Sequence, residues 1–173
     1  MIAGTFLYFA YGSNMLGARL KAPKRCPSAC PRGVAELGGY EIHWHKKSTD
    51  GSAKCDIMPI GQPGTSVFGV LYEVANSEKP ALDRAEGLGR GYDEAKIAVH
   101  HGGERLAARV YVATDTDSTL SPYTWYRALV VAGGKENGLP ANYIQHLESV
   151  PAIEDPDRRR HHANMALIGE VRA

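Results

Sequence analysis

The chain has 173 residues, the length of one domain, and 43% of them are hydrophobic, enough for a single core and too many for a disordered chain. Its 20 Lys and Arg stand against 19 Asp and Glu, which excludes a general electrostatic attraction for nucleic acid or for an acidic membrane. No run of 18 apolar residues is present, and the apolar stretch near the N-terminus is short and lacks a basic leader, so neither a membrane span nor a signal peptide is expected.

Residues 5–11 (TFLYFAY) are apolar on both alternating faces and read as a strand covered on both sides. Gly12, Ser13 and Asn14 break that pattern, and residues 15–20 read as a short helix with Ser13 or Asn14 as its N-cap. The basic, proline-rich stretch 21–31 reads as a loop. Strands are expected at 39–47, with His43 and His45 on one face and Trp44 on the other, at 54–60, and at 66–74, where Phe68, Val70, Tyr72 and Val74 share a face. Residues 61–64 (GQPG) turn between the last two.

Ser77 is the expected N-cap of a short helix with Pro80 in its first turn, Leu82 and Ala85 inward, Glu86 in its last turn and Gly87 as its stop. Strands 93–101 and 104–113 follow, joined by the two-residue turn Gly102-Gly103. The C-terminal third turns helical. Ser121-Pro122 opens a helix carrying Tyr126, Leu129, Val130 and Gly133 or Gly134 at helical spacing, Asn137-Gly138 closes it, and a second helix covers 141–150 after Leu139-Pro140. Beyond Pro151 the chain is polar and charged (EDPDRRRHH) and reads as a mobile tail, within which 163–171 fits a docked strand or a docked helix. The order of elements is that of an α+β domain, with 1–155 as its body and 156–173 as the tail.

Three segments could carry chemistry. The first is Tyr8, Phe9, Ala10, Tyr11, Gly12, Ser13 and Asn14, where an apolar strand enters a small-residue turn and then a helix. Gly12 lets backbone approach a ligand, and amide groups at a helix start suit a carboxylate or an oxyanion; the same residues also fit an ordinary capped turn. The second is Glu86, a carboxylate at a helix C-terminus followed by Gly87, Gly89 and Gly91. Facing the negative end of the helix and losing solvent would make it a stronger base; a solvated glutamate pairing with Arg90 is the plainer alternative. The third is Tyr126, which either contacts a ligand or packs as an amphipathic core residue.

The remaining polar groups point to less. Cys26, Cys30 and Cys55 cannot all pair and read as reduced thiols of a cytoplasmic protein. A zinc site drawn from these cysteines with His43 and His45 has no standard ligand spacing behind it. Arg158, Arg159 and Arg160 with His161 and His162 carry no interleaved aromatics and read as a solvated run. Signatures for NAD, ATP or a serine nucleophile are absent.

Taken together and in order, YFAYGSN (8–14), Glu86-Gly87 followed by Gly91-Tyr92, and KENGLP (135–140) resemble the γ-glutamylcyclotransferases over residues 7–150. The resemblance implies a small mixed barrel-like sheet flanked by helices, a homodimer, and no metal or cofactor. It implies conversion of a small-molecule γ-glutamyl-amino acid to 5-oxoproline and the free amino acid, or the same chemistry on another γ-glutamyl conjugate; a binding module that kept the fold and lost turnover is the alternative of a different class. By carry-over, Tyr8 to Ser13 line the glutamyl pocket with Asn14 and Tyr92 beside them, Glu86 is the general acid/base, and Tyr126 contacts substrate. About two extra residues stand between Pro122 and Tyr126 compared with the family pattern, so Tyr123 is the alternative to Tyr126.

Overall fold

The computed structural model describes residues 4–62 and 64–169. Five strands close a barrel in the order β1 (Thr5–Ala10), β5 (Ser66–Ala75), β2 (Cys30–Gly38), β6 (Tyr92–His101) and β7 (Glu104–Ala113). Every pairing is antiparallel except the closing one, a parallel bridge between Tyr8 and Arg109. The sheet is therefore mixed, and the α+β class holds. A separate hairpin, β3 (Tyr40–Lys47) with β4 (Ala53–Pro59), packs beside the barrel. All six expected strands thus appear within a residue or two of their expected bounds. Among the described residues no helix is long and apolar enough to cross a membrane.

The barrel is filled by β-branched and aromatic side chains: Val70, Tyr72, Val74, Val99 and Val110 are all essentially without exposure. At Gly69 a Cβ would lie 2.5 Å from the Ala10 carbonyl oxygen, so only glycine lets β5 and β1 approach this closely. Gly102 and Gly103 both take positive φ (57° and 83°), the backbone that a two-residue hairpin turn between β6 and β7 demands.

Three segments depart from expectation. Strand β2 begins at Cys30, inside the stretch read as a loop. Pro31 and Gly33 hide it, because the register shifts between them and breaks the alternation that marks a strand. Residues 15–20 are not one capped helix: a 3-10 turn (Ser13–Met15) and a single helical turn, α1 (Gly17–Leu20), are separated by an extended Leu16, and no side chain caps either. The helix expected from Ser121-Pro122 starts later, as α3 (Thr124–Glu136), because the backbone at 122–124 is engaged with Ile153. Helix α2 (Lys79–Glu86) follows a 3-10 turn without a Ser77 side-chain cap, and Gly87 (φ 75°) ends it as expected.

The C-terminal segment is the largest correction. Residues read as a mobile, solvated tail form α5 (Arg158–Gly169), which packs against α3; residues 170 and 171 of the expected element lie outside the described residues. Three arginines in a first helical turn oppose the helix dipole. Two aspartates before them supply the compensation. Asp157 caps the Arg160 N–H (3.1 Å), and Asp155 accepts the Arg160 guanidinium through both of its oxygens, at 2.6 Å each, and the Trp125 indole N–H at 2.7 Å.

Candidate active site

Helix α3 and its C-terminal end, ahead of α4 (Ala141–Ser149), fasten the turn that leaves β1. A Cβ at Gly133 would lie 2.5 Å from the Leu16 nitrogen, so the missing side chain allows α3 to lie directly on that turn. The KENGLP segment then grips it. Glu136 accepts the Gly17 N–H (3.2 Å), and Asn137 donates to the Met15 carbonyl (3.0 Å), which also accepts the Tyr72 hydroxyl (2.8 Å). None of Lys135, Glu136, Asn137 or Leu139 lines the cavity described next. The motif braces the turn from behind.

In front of the turn lies a cavity of about 230 Å³, bounded by the β1 exit, the end of α2, the β3–β4 hairpin and the start of α3. Tyr8, Tyr11, Gly12, Ser13, Asn14, Glu86, Tyr92 and Tyr126 all line it, residues separated by more than a hundred positions in the chain. Phe9 and Ala10 do not. Strand alternation turns Phe9 away from Tyr8, onto the space left by Gly69, and Ala10 is enclosed and ends at a methyl group. Of the two tyrosines left open, Tyr126 lines the cavity, while Tyr123 does not and instead donates to the Asp50 carbonyl (3.0 Å).

Glu86 is half-buried, with its carboxylate turned inward. Its Oε1 accepts the Tyr8 hydroxyl (2.9 Å) and the Asn14 amide. Its Oε2 accepts no hydrogen bond among the described residues. Burial raises its pKa above the usual carboxylate range; the Tyr8 hydrogen bond and the charges of Arg25 and Arg19 oppose that shift without cancelling it. Asn14 is fully committed here. Its Nδ2 donates to Glu86 and its Oδ1 accepts Arg25 Nη1 (3.0 Å), which is why it is not the helix cap that its position suggests.

The opposite wall is built on the hairpin. The Cys55 N–H donates to the Tyr126 hydroxyl (3.1 Å), and the Cys55 carbonyl accepts the Tyr92 hydroxyl (2.6 Å). A Cβ at Gly12 would stand 3.1 Å from the Tyr126 oxygen, so at this point β1 presents backbone alone to the cavity. Burial raises the pKa of Tyr8, Tyr11, Tyr92 and Tyr126 well above the phenolic value, which keeps these hydroxyls neutral donors.

Sequence reading missed Tyr111 and, Glu86 apart, the charged lining: Arg19, Arg25, Lys46, Lys54 and Asp50. Lys54 pairs with Asp50 (2.8 Å) and lies over the Trp125 and Tyr126 rings, both at 4.9 Å. Lys46 lies over the Tyr92 ring (4.7 Å). The excess of cations suits a ligand with more than one carboxylate. Arg19 stands five residues beyond Asn14, but nothing local distinguishes it from a solvated helix arginine. Among the described residues no cluster of three or more His, Cys, Asp or Glu side chains could hold a metal; Cys26 and Cys55 are buried and Cys30 is exposed.

Residues 66–147 match the model of the AIG2-like family. The chain is 35% identical over 152 residues to the human protein named γ-glutamylcyclotransferase, covering 84% of this chain and 79% of that one. It is likewise 35% identical over 156 residues to the mouse protein of the same name, covering 87% and 81%. A solved structure named γ-glutamyl cyclotransferase superposes with a TM-score of 0.83 at 29% identity, covering 96% of this chain and 99% of that one. At that identity over most of both chains, the chain belongs to the γ-glutamylcyclotransferase family.

Proposed function

We propose that the protein closes the glutamyl unit of a γ-glutamyl-amino acid to 5-oxoproline and releases the amino acid, with Glu86 carrying the proton. The observation that supports this most is the asymmetry of Glu86: Oε1 is held by Tyr8 and Asn14, and Oε2 is open to the cavity. A carboxylate fixed by one oxygen and free at the other can take a proton and return it without moving.

The attacking amine and the γ-carbonyl belong to one molecule, so the site's task is to fold that molecule into its cyclising conformer. At neutral pH the α-amine is mainly an ammonium and cannot attack. Glu86 Oε2 accepts its proton, helped by a pKa that burial has raised. The freed nitrogen forms the lactam bond, and the γ-carbonyl oxygen carries the developing charge. Gly12 and Ser13 bring backbone to the cavity where that oxygen or the glutamyl group is held. Glu86 then gives its proton to the departing nitrogen as the amide bond breaks. The ammonium loses two protons on becoming a lactam nitrogen and the leaving nitrogen gains two on becoming an ammonium, so nothing is taken up overall and no cofactor enters. The four cationic side chains of the cavity suit a substrate with two carboxylates better than a γ-glutamyl conjugate of a simple alkylamine with one. The homodimer implied by the resemblance and the cytoplasmic location read from the cysteines belong to the same proposal, and sedimentation of the purified chain reads the first.

Chromatographic detection of 5-oxoproline tests the reading. Release from γ-Glu-Ala in preference to glutathione and to γ-Glu-ε-Lys is expected. Release from one of the other two instead would reassign the leaving group, and no release from any of the three would sink the reading.

A further inference from the structure

Two guanidinium groups in the cavity have no anionic partner within ion-pair distance among the described residues. Arg25 donates from Nη1 to the Asn14 side-chain oxygen, a neutral acceptor, at 3.0 Å. Arg19 donates from Nη1 to the Asn164 side-chain oxygen, also neutral, at 3.1 Å, and its Nε is buried without a partner among the described residues. Neither arginine is in an ion pair there. Burial and the neighbouring Arg25 charge both act against the charged form of Arg19, with Glu86 too far to pair. Two cations at one wall, one of them with an unused buried donor, describe a place where an anionic group of the ligand completes the structure.

Covalent geometry says which group. The α-nitrogen and the α-carboxylate carbon of a glutamyl unit hang on the same Cα, roughly 2.5 Å apart by standard bond lengths and angles. Whatever takes the carboxylate must therefore stand next to the group that takes the amine's proton. Asn14 links those places, with one end on Glu86 and the other on Arg25. Lys54 is committed to Asp50 and Lys46 lies over Tyr92, so neither competes for this position. Resting on the function proposed above, we infer that Arg19 and Arg25 together seat the α-carboxylate of the glutamyl unit, and that Asn164 on α5 is the positioning residue that aims Arg19. The C-terminal helix is then part of the site's framework.

The test compares kcat/KM on three substrates: γ-Glu-Ala, 4-aminobutanoyl-Ala, which lacks the α-carboxylate and would close to 2-pyrrolidinone, and γ-Glu-alaninamide, which lacks the leaving-group carboxylate. In Arg19→Gln and in Arg25→Gln, γ-Glu-Ala and γ-Glu-alaninamide should lose about ten- to a hundredfold, the scale of one hydrogen bond to a charged group, while 4-aminobutanoyl-Ala changes little. Asn164→Ala should raise KM for γ-Glu-Ala by roughly threefold, in line with one neutral hydrogen bond, with kcat kept. Equal losses on γ-Glu-Ala and 4-aminobutanoyl-Ala would overturn the assignment, as would a loss confined to γ-Glu-Ala that spares the alaninamide. Should Arg19→Gln fail to fold, the same ratios in Arg25→Gln and Asn164→Ala decide. Wild-type protein that turns over none of the three overturns the reading of function itself, a result distinct from wild-type turnover with equal losses in the variants.

Discussion

Two carboxylates, Glu86 in the cavity and Asp155 beneath α5, are held in opposite ways. Asp155 is saturated: each oxygen accepts one arm of the Arg160 guanidinium, with the Asp157 N–H added to one and the Trp125 indole to the other. Arg160 foremost pushes its pKa well below the usual range. Among the described residues Glu86 has two donors on one oxygen and none on the other, and burial raises its pKa. The first arrangement makes the charge permanent and fixes a helix. The second leaves the charge ready to change, which is what a proton carrier needs. Trp125 connects them, since it anchors on Asp155 and lines the cavity.

The sharpest way to break the contrast is Glu86→Gln, which keeps the hydrogen-bonding shape and removes the basic oxygen. Turnover of γ-Glu-Ala should fall by roughly a hundredfold or more, the usual scale for a positioned acid/base, with the dissociation constant from calorimetry kept. Gly12→Val comes next. Its side chain lands on the Tyr126 hydroxyl, and substrate affinity should weaken about tenfold, the scale of one overpacked contact, which a titration would show.

Asp155→Asn acts on the other carboxylate. Arg160, a third exposed, is left without its anion, and chemical denaturation should show a lower midpoint than wild type. The two sites should also carry opposite pH signatures. Asp155 is ionised in the folded chain where an unfolded chain would protonate it, so its contribution is complete above the ordinary carboxylate range and is lost as pH falls through that range and below. Glu86 is protonated more readily folded than unfolded, so its ionisation costs stability as pH rises from the ordinary glutamate value through its raised one. Melting curves should therefore show Glu86→Gln gaining on wild type as pH rises across that window, and Asp155→Asn converging on wild type as pH falls.

The contrast also explains what could be read in advance. Glu86 was visible because Pro80 and Gly87 bracket a helix and place it in the last turn, and the β1 exit was visible because an unbroken apolar run meets Gly12, Ser13 and Asn14. Both are local patterns. Helix α5 was misread because its charges look solvated in isolation; their partners, Asp155 for Arg160 and Arg19 for Asn164, emerge only when the chain is folded, although the aspartates just before the arginines were a capping signal in plain view. Strand β2 was lost to Pro31 and Gly33. Arg19, Arg25, Lys54 and Tyr111 were invisible as site residues because each reaches the cavity from a different element, and KENGLP marked the right place while its contacts brace the turn from outside.

The central claim is that the ionised Oε2 of Glu86 takes the substrate's proton, and the pH dependence of kcat/KM for γ-Glu-Ala tests it most directly. The account expects an acid limb, tenfold per pH unit, with a midpoint above the ordinary glutamate value and absent from the residual activity of Glu86→Gln. An acid limb that persists unchanged in Glu86→Gln, or a wild-type profile with none, would contradict it.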